Sequence, residues 1–298
     1  MPRILCYGSL NLDYVYQVPH FLQPGETLAS TRRDVVCGGK GLNQAIAAAR
    51  AGAQVFQAGK TGAEGQILRD TLVDSGVDVT LLAKSDGPGG HTFIQVDPSG
   101  QNCILLYGGS NQDIQRDEVD KVLDWFRPGD LLMLQNEINQ LDYIMEGAAK
   151  RGLSIVLNPS PIDDKLMQLP LELVGLFVFN EIEGAALSGT QNEEEMLDLL
   201  RKKWPHSRLL LTLGSRGCIY DDGQRRLRHG IYQAHAVDTT AAGDTFTGYF
   251  VAAMASGQPV ERALDLASKA AAIAVTRPGA APSIPTMDEV LASSLTLA

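Results

Sequence analysis

Residues 237–250 read VDTTAAGDTFTGYF, an apolar helix entered through small residues and a single carboxylate. The first N–H groups of a helix have no partner within it, and a Thr or Asp side chain ordinarily caps them. Here Asp244 follows Ala241-Ala242-Gly243, whose minimal side chains leave backbone N–H groups open to a ligand. Such a turn suits phosphate or another anion, because the N–H groups and the helix dipole both favour negative charge. A carboxylate in the same turn repels that anion, so Asp244 is expected to have a chemical task.

Further polar groups stand where apolar runs end. Asn11 and Asp13 lie two apart after a short strand, so extended backbone turns both the same way. An amide and a carboxylate can bracket neighbouring hydroxyls of a polyol, although an ordinary turn would carry the same residues. Gly38-Gly39-Lys40-Gly41 precedes Asn43 at the start of an Ala-rich helix. Glycines there permit close approach to a ligand, and the helix directs Lys40 and Asn43 toward its N-terminus. The alternative is a flexible turn with a solvated lysine. Asn136, Glu137 and Asn158 follow two more apolar runs, and the carboxyl ends of parallel strands are where open α/β sheets bind ligands. Asn180 and Glu183 fit a helix cap with its N3 acid, and equally a carboxylate near phosphates that holds Mg²⁺ through water. TLGSRG (212–217) ends a strand in a turn able to face phosphates.

Several common signatures are missing. AGKTG (58–62) lacks the earlier glycine of a P-loop, because position 54 is Gln54, and Lys60 is expected to be a surface or rim lysine. No GxGxxG follows the first strand, no HxxxH supports zinc hydrolysis, and no GxSxG supplies a nucleophile elbow.

The elements that must hold these groups change rhythm along the chain. Segments 14–36 and 78–107 are strand-like with no helices between their pieces, and DPSGQ reads as a hairpin tip. From residue 113 apolar strands alternate with helices, the pattern of a parallel sheet covered on both faces. The expected fold is α/β: a central, mostly parallel sheet with helices on both faces, plus a small β-sheet lid built from parts of 14–36 and 78–107. One domain over residues 1–298 accommodates all of it.

A formal charge of −10, from 25 basic and 35 acidic residues, argues against a nucleic-acid binder. The N-terminus reads as a strand and not as a signal peptide, and no apolar stretch is long enough for a bilayer. Four scattered cysteines with no CxxC pair fit a reduced, cytoplasmic setting.

On two long motifs, GGKGLNQAIAAARAG and VDTTAAGDTFTG, the chain resembles the ribokinase-like (PfkB) family of carbohydrate kinases. GSLNLD, NPSP, NEIE, TLGSRG and AAAIAVTRPGAAPSIP follow the family's order. The resemblance implies transfer of phosphate from ATP to a primary hydroxyl of a small sugar, D-ribose first. 2-Deoxyribose, a ketose, a sugar acid and a nucleoside are the alternatives, and the amide of Asn11 favours the extra hydroxyl of ribose. By resemblance, Asn11, Asp13, Gly39, Lys40, Asn43 and Glu137 would bind sugar. Asp244 would be the base, in an anion hole of Ala242, Gly243 and Asp244. Asn180 and Glu183 would serve phosphate and Mg²⁺, while Thr212, Gly214, Ser215, Gly217 and Ser268 would line the nucleotide. K⁺ would occupy a loop of Asp238, Thr240, Ala274, Arg277, Gly279 and Ser283, several giving backbone oxygens. A homodimer through the lids is implied, with Tyr14, Tyr16, Phe93 and Ile94 available to cover the lid. INQ after Glu137 and the turn YGGSNQDI (107–114) depart from the family pattern near the sugar.

Overall fold

The computed structural model describes residues 1–298. The N-terminal part contains β1 (Ile4–Tyr7), β2 (Asn11–Gln17), β3 (Arg32–Gly38), α1 (Lys40–Arg50), β4 (Val55–Thr61) and α2 (Gln66–Asp74). Next come β5 (Leu82–Lys84), β6 (Gly90–Val96), β7 (Asn102–Tyr107), α3 (Arg116–Leu123), β8 (Leu131–Gln135), α4 (Leu141–Lys150) and β9 (Ser154–Asn158). Then follow β10 (Val174–Asn180), α5 (Glu181–Ser188), α6 (Glu193–Lys203), β11 (Arg208–Thr212), β12 (Cys218–Asp221) and β13 (Arg226–His229). The chain ends with α7 (Ala242–Ala255), α8 (Val260–Ala274) and α9 (Met287–Ala292). None of the helices is long and apolar enough to cross a membrane.

Nine strands form the main sheet in the order β13-β12-β11-β10-β9-β8-β1-β4-β5, parallel from β11 to β5 with β12 and β13 antiparallel at one edge. Its strands are apolar on both faces because both faces are covered. Ile4, Cys6, Met133, Val156 and Val178 belong to one core, whereas Leu5, Tyr7, Leu132, Ile155 and Phe177 belong to the other. The chain runs from β1 outward to β4 and β5, then returns to place β8 on the other side of β1. That reversal makes the β1–β8 junction a topological switch point, where a crevice opens beyond the strand ends.

The lid is a separate four-stranded sheet, β3-β2-β6-β7. It begins at Asn11 and ends its second strand at Gly38, wider than the segment 14–36. The earlier part of 78–107 lies elsewhere: Asp78 bridges Phe56, and β5 pairs with β4 in the main sheet. Tyr14 and Tyr16 both stack on Phe93. Ile94 does not join them; it pairs with Val15 and therefore shares the opposite face with Asp13.

One contact sets the depth of the site. A Cβ on Gly248 of α7 would lie 2.5 Å from Ala47 Cβ and 2.7 Å from Gln44 O of α1. Only glycine allows the two helices to approach so closely. Gly→Ala inside a helix ordinarily gains about 0.5–1 kcal/mol, but overpacking costs about 1–3 kcal/mol, so the clash should decide the sign. Gly248→Ala is expected to lower the thermal midpoint by several degrees in a melting scan; an unchanged or raised midpoint would contradict this packing.

Candidate active site

Polar residues line up along the carboxyl edge of the main sheet. Ser9 follows β1, Gln135 and Glu137 close β8, and Asn158 ends β9 as the register partner of Gln135. Asn180 ends β10 as the register partner of Thr212 on β11. Lys40, Asn158, Asn180, Glu183, Thr212, Gly243, Asp244 and Thr247 line one open cleft of about 150 Å³.

At the switch-point end, Ser9 Oγ donates to Glu137 Oε2, and the Lys40 backbone N–H donates to the same oxygen at 3.1 Å. Gly39 holds the turn before α1 at φ 93°, a conformation that glycine adopts without strain. Asn11 and Asp13 stand on lid strand β2 with one residue between them, as the sequence reading requires. Thr92 Oγ1 donates to Asp13 Oδ1 at 2.6 Å. Asn111 Nδ2 donates to Asn11 Oδ1 at 2.8 Å, while Asn111 Oδ1 accepts from the Leu10 N–H at 3.0 Å. The two segments that depart from the family pattern have structural tasks here. YGGSNQDI supplies this anchor for Asn11, and Asn139 of INQ ties down both the N–H and the carbonyl of Ile114.

Electrostatics here are set by burial. Burial pushes the Asp13 carboxyl up, against the Thr92 hydrogen bond. It does the same to Glu137, and Ser9 and Lys40 only partly offset it. Burial alone would lower the Lys40 ammonium, but Asp244, Glu137 and Glu183 together hold it above the ordinary lysine value. An acid with a raised folded-state value takes its proton early on acidification. The native fold then binds more protons than the unfolded chain, so these two carboxyls lend stability at low pH and lose it as pH rises. Ligand binding follows the opposite course, since protonation removes the acceptors. As hydroxyl acceptors, the role the resemblance gives them, they should make the KM for a sugar climb as pH falls, beginning above the range near pH 4 where exposed carboxylates titrate. A KM that stays flat down to about pH 4 would contradict this assignment.

Asp244 sits in the first turn of α7, preceded by Ala241 in a left-handed conformation at φ 58°. Asn43 Nδ2 donates to its Oδ2 at 3.0 Å and Gln44 Nε2 to its Oδ1 at 2.9 Å. Of the three N–H groups that the resemblance assigns to an anion hole, that of Ala242 donates to Thr239 O at 3.2 Å. Gly243 and Asp244 supply the N–H groups that have no acceptor in the protein.

Asn180 and Glu183 form a capping box, with Glu183 Oε2 accepting from the Asn180 N–H at 3.0 Å. The cap reading is met, and the same two residues also line the cleft. Gly214 and Ser215 lie exposed in a turn just after Thr212 that closes at the half-buried Gly217. Ser268 is buried with its Oγ 3.2 Å from His229 Nδ1 and does not line the cleft with Asp244. Asp238 clips two loops together by accepting from the N–H groups of Thr240 at 2.9 Å and Gly279 at 2.8 Å. These bonds outweigh partial burial and hold its carboxyl below the usual range. Ser283 is buried and donates to Ala280 O, Ala274 ends α8, and the Arg277 side chain turns away to Glu289 at 2.7 Å. Lys60 is not a rim residue: it is 6% exposed, and its ammonium lies 2.9 Å from Glu118 and 2.6 Å from Asp113 O. Its strand, β4, is interior to the sheet, and a short periodic stretch could not reveal that.

Ser9, Gln44, Asn111 and Gln135 were missed by sequence reasoning. Gln44 and Gln135 look like core-facing positions of an Ala-rich helix and an apolar strand; an amide in such a run was the available signal.

Residues 1–287 match the family described as pfkB family carbohydrate kinase. The chain is 35% identical over 297 residues to a ribokinase from Haemophilus influenzae, covering 95% of each chain. It is also 35% identical over 300 residues to a Staphylococcus aureus ribokinase, covering 97% of this chain and 98% of that one. Among solved structures, Arabidopsis thaliana ribokinase complexed with ribose and ATP superposes with a TM-score of 0.86 at 28% identity, over 97% of both chains. With this fold, this edge of polar residues and these matches, the chain belongs to the pfkB family of carbohydrate kinases and is an ATP-dependent phosphotransferase.

Proposed function

We propose that the protein transfers the γ-phosphoryl group of ATP to the primary hydroxyl of D-ribose, giving D-ribose 5-phosphate. The observation that supports this most is the placement of Asp244. Its carboxylate is fixed between hydroxyl-binding groups at the switch point and the Asn180–Thr212 end of the cleft, in a turn with free N–H groups. Asn11, Asp13 and Glu137 hold the sugar hydroxyls, with Lys40 and Asn43 closing the site. Asp244 takes the proton of the attacking hydroxyl, and the Gly243 and Asp244 N–H groups face the charge on the transferred phosphoryl. Thr212, Gly214, Ser215 and Gly217 line the nucleotide side, with Ser268 beneath it.

The residues present fit the expected ions. Glu183 is already hydrogen-bonded within its cap, which suits holding Mg²⁺ through water with Asn180 nearby. Bound with ATP, Mg²⁺ neutralises phosphate charge. The loop set of one carboxylate with backbone carbonyls at Asp238, Thr240, Ala274, Arg277, Gly279 and Ser283 suits K⁺, and its segments lead straight into the anion-hole turn. Four free cysteines support a reducing, cytoplasmic setting.

ADP release measured over a panel of pentoses, hexoses and nucleosides, with and without K⁺, tests the proposal. D-Ribose should give the highest kcat/KM and K⁺ should raise it. A nucleoside or hexose preferred over every pentose would overturn it.

A dimer through the lids belongs to the same proposal. β7 is one of the two edges of the lid sheet, and Ile104, Leu105 and Leu106 are exposed there, Leu105 by 69%. An exposed apolar edge calls for a covering partner, and a second lid is self-complementary. Light scattering should return a dimer mass for the wild type and a monomer mass for Leu105→Asp; a monomeric wild type removes the dimer.

A further inference from the structure

We infer that Gln44, held by Gln135 and Asn158, is a positioning residue that fixes the carboxylate of Asp244 for proton transfer. The inference rests on Asp244 being the base.

Gln44 is fully buried on α1 and faces three partners. Its Nε2 lies 2.9 Å from Asp244 Oδ1 and 3.3 Å from Asn158 Oδ1, and its Oε1 accepts from Gln135 Nε2 at 2.7 Å. The orientation of each amide follows from chemistry. Asn158 Nδ2 donates to the backbone carbonyl of Val178 at 2.9 Å, so its oxygen must face Gln44. An ionised carboxylate only accepts, so the nitrogen of Gln44 must face Asp244. Turning the Gln44 amide over would set its oxygen against the carboxylate and the Asn158 oxygen, and its nitrogen against the Gln135 nitrogen. Both N–H bonds and the carbonyl of Gln44 are therefore committed, and the group has one stable orientation.

Asn43 is differently placed. It donates to the other oxygen of Asp244, but its own Oδ1 finds no donor in the protein. The two neighbours thus differ: the Asn43 amide keeps an uncommitted acceptor, while every polar atom of Gln44 is locked. The close approach of α7 at Gly248, one turn beyond Asp244, brings the carboxylate within reach of both. Gln135 is fully buried with its Oε1 unpartnered. Leaving a buried acceptor unsatisfied is costly, and here the donor of the same amide is aimed at Gln44.

The test uses Gln44→Met, which keeps the length of the side chain and removes its donors, and Gln135→Met, which leaves the donors but frees Gln44 to turn. Gln44→Met should lower kcat by about 10–100-fold with sugar affinity, measured by calorimetry, changed less than about 3-fold. Losing a donor favours a protonated carboxylate, so the acid limb of its kcat profile should move to higher pH than that of the wild type. Lys40 and Glu183 line the same cleft, Glu137 and Cys6 lie near enough to feel the charge of Asp244, and all four are retained in the variant. Gln135→Met should show the same shift in smaller measure. Should Gln44→Met fail to fold, Gln135→Met alone carries the comparison. Carboxyl ¹³C titration of Asp244, assigned through Asp244→Asn, reads the shift without turnover. A wild type inactive on every sugar would count against the proposed function. An active wild type with an unmoved acid limb and an unmoved Asp244 titration in both variants would overturn the role of Gln44. A merely structural glutamine would lower the thermal midpoint and leave the shape of the profile unchanged.

Discussion

Asp244→Asn should reduce kcat by roughly 10²–10⁴ while leaving sugar binding within a few-fold of the wild type, as expected for loss of a general base. The substitution keeps the size of the side chain and its place in the first turn of α7. One of its atoms can still accept from Asn43 or Gln44, which lie at 3.0 and 2.9 Å, but the other becomes a donor facing a donor. The proton acceptor is gone, while the Gly243 N–H and the lid residues remain. Steady-state kinetics combined with sugar calorimetry would check this. Near-normal kcat on the best sugar would move the proton acceptor elsewhere.

Asp13→Ala should show the opposite pattern. Asp13 stands on the lid with only Thr92 as side-chain partner, at 2.6 Å, so an acceptor oxygen remains for the sugar. A hydrogen bond to a charged group contributes about 1.5–3 kcal/mol, and its loss should raise the sugar KM about 10–150-fold with kcat reduced far less. Equal losses in kcat and kcat/KM would mean that Asp13 acts mainly in the transition state. The contrast between these two variants separates holding the sugar from activating it.

Much of this arrangement was legible in the chain. The alternation after residue 113 gave the parallel sheet, because strands buried on both faces are apolar throughout, as in LLMLQ and LFVFN. The small turn at 241–243 marked a helix start with open N–H groups, since side-chain size is read directly from sequence. Lid boundaries were less accessible: 78–84 and 90–96 look equally strand-like, and only pairing assigns the first to β4 and the second to β2. The same holds for Lys60, whose carboxylate partner Glu118 lies far along the chain. Gln44 and Gln135 escaped notice because their meaning depends on a contact between α1 and α7, about two hundred residues apart in sequence. That Thr239 O occupies the Ala242 N–H could not be read without the turn's geometry.

The central claim is that phosphate goes to a primary hydroxyl activated by Asp244. The most direct measurement is ³¹P NMR of the product formed from D-ribose and ATP, with 5-deoxyribose run in parallel. The account predicts a phosphomonoester resonance split by the two protons of C5, and no sugar phosphate from 5-deoxyribose. A phosphate on the anomeric carbon, or turnover of 5-deoxyribose at a comparable rate, would contradict it.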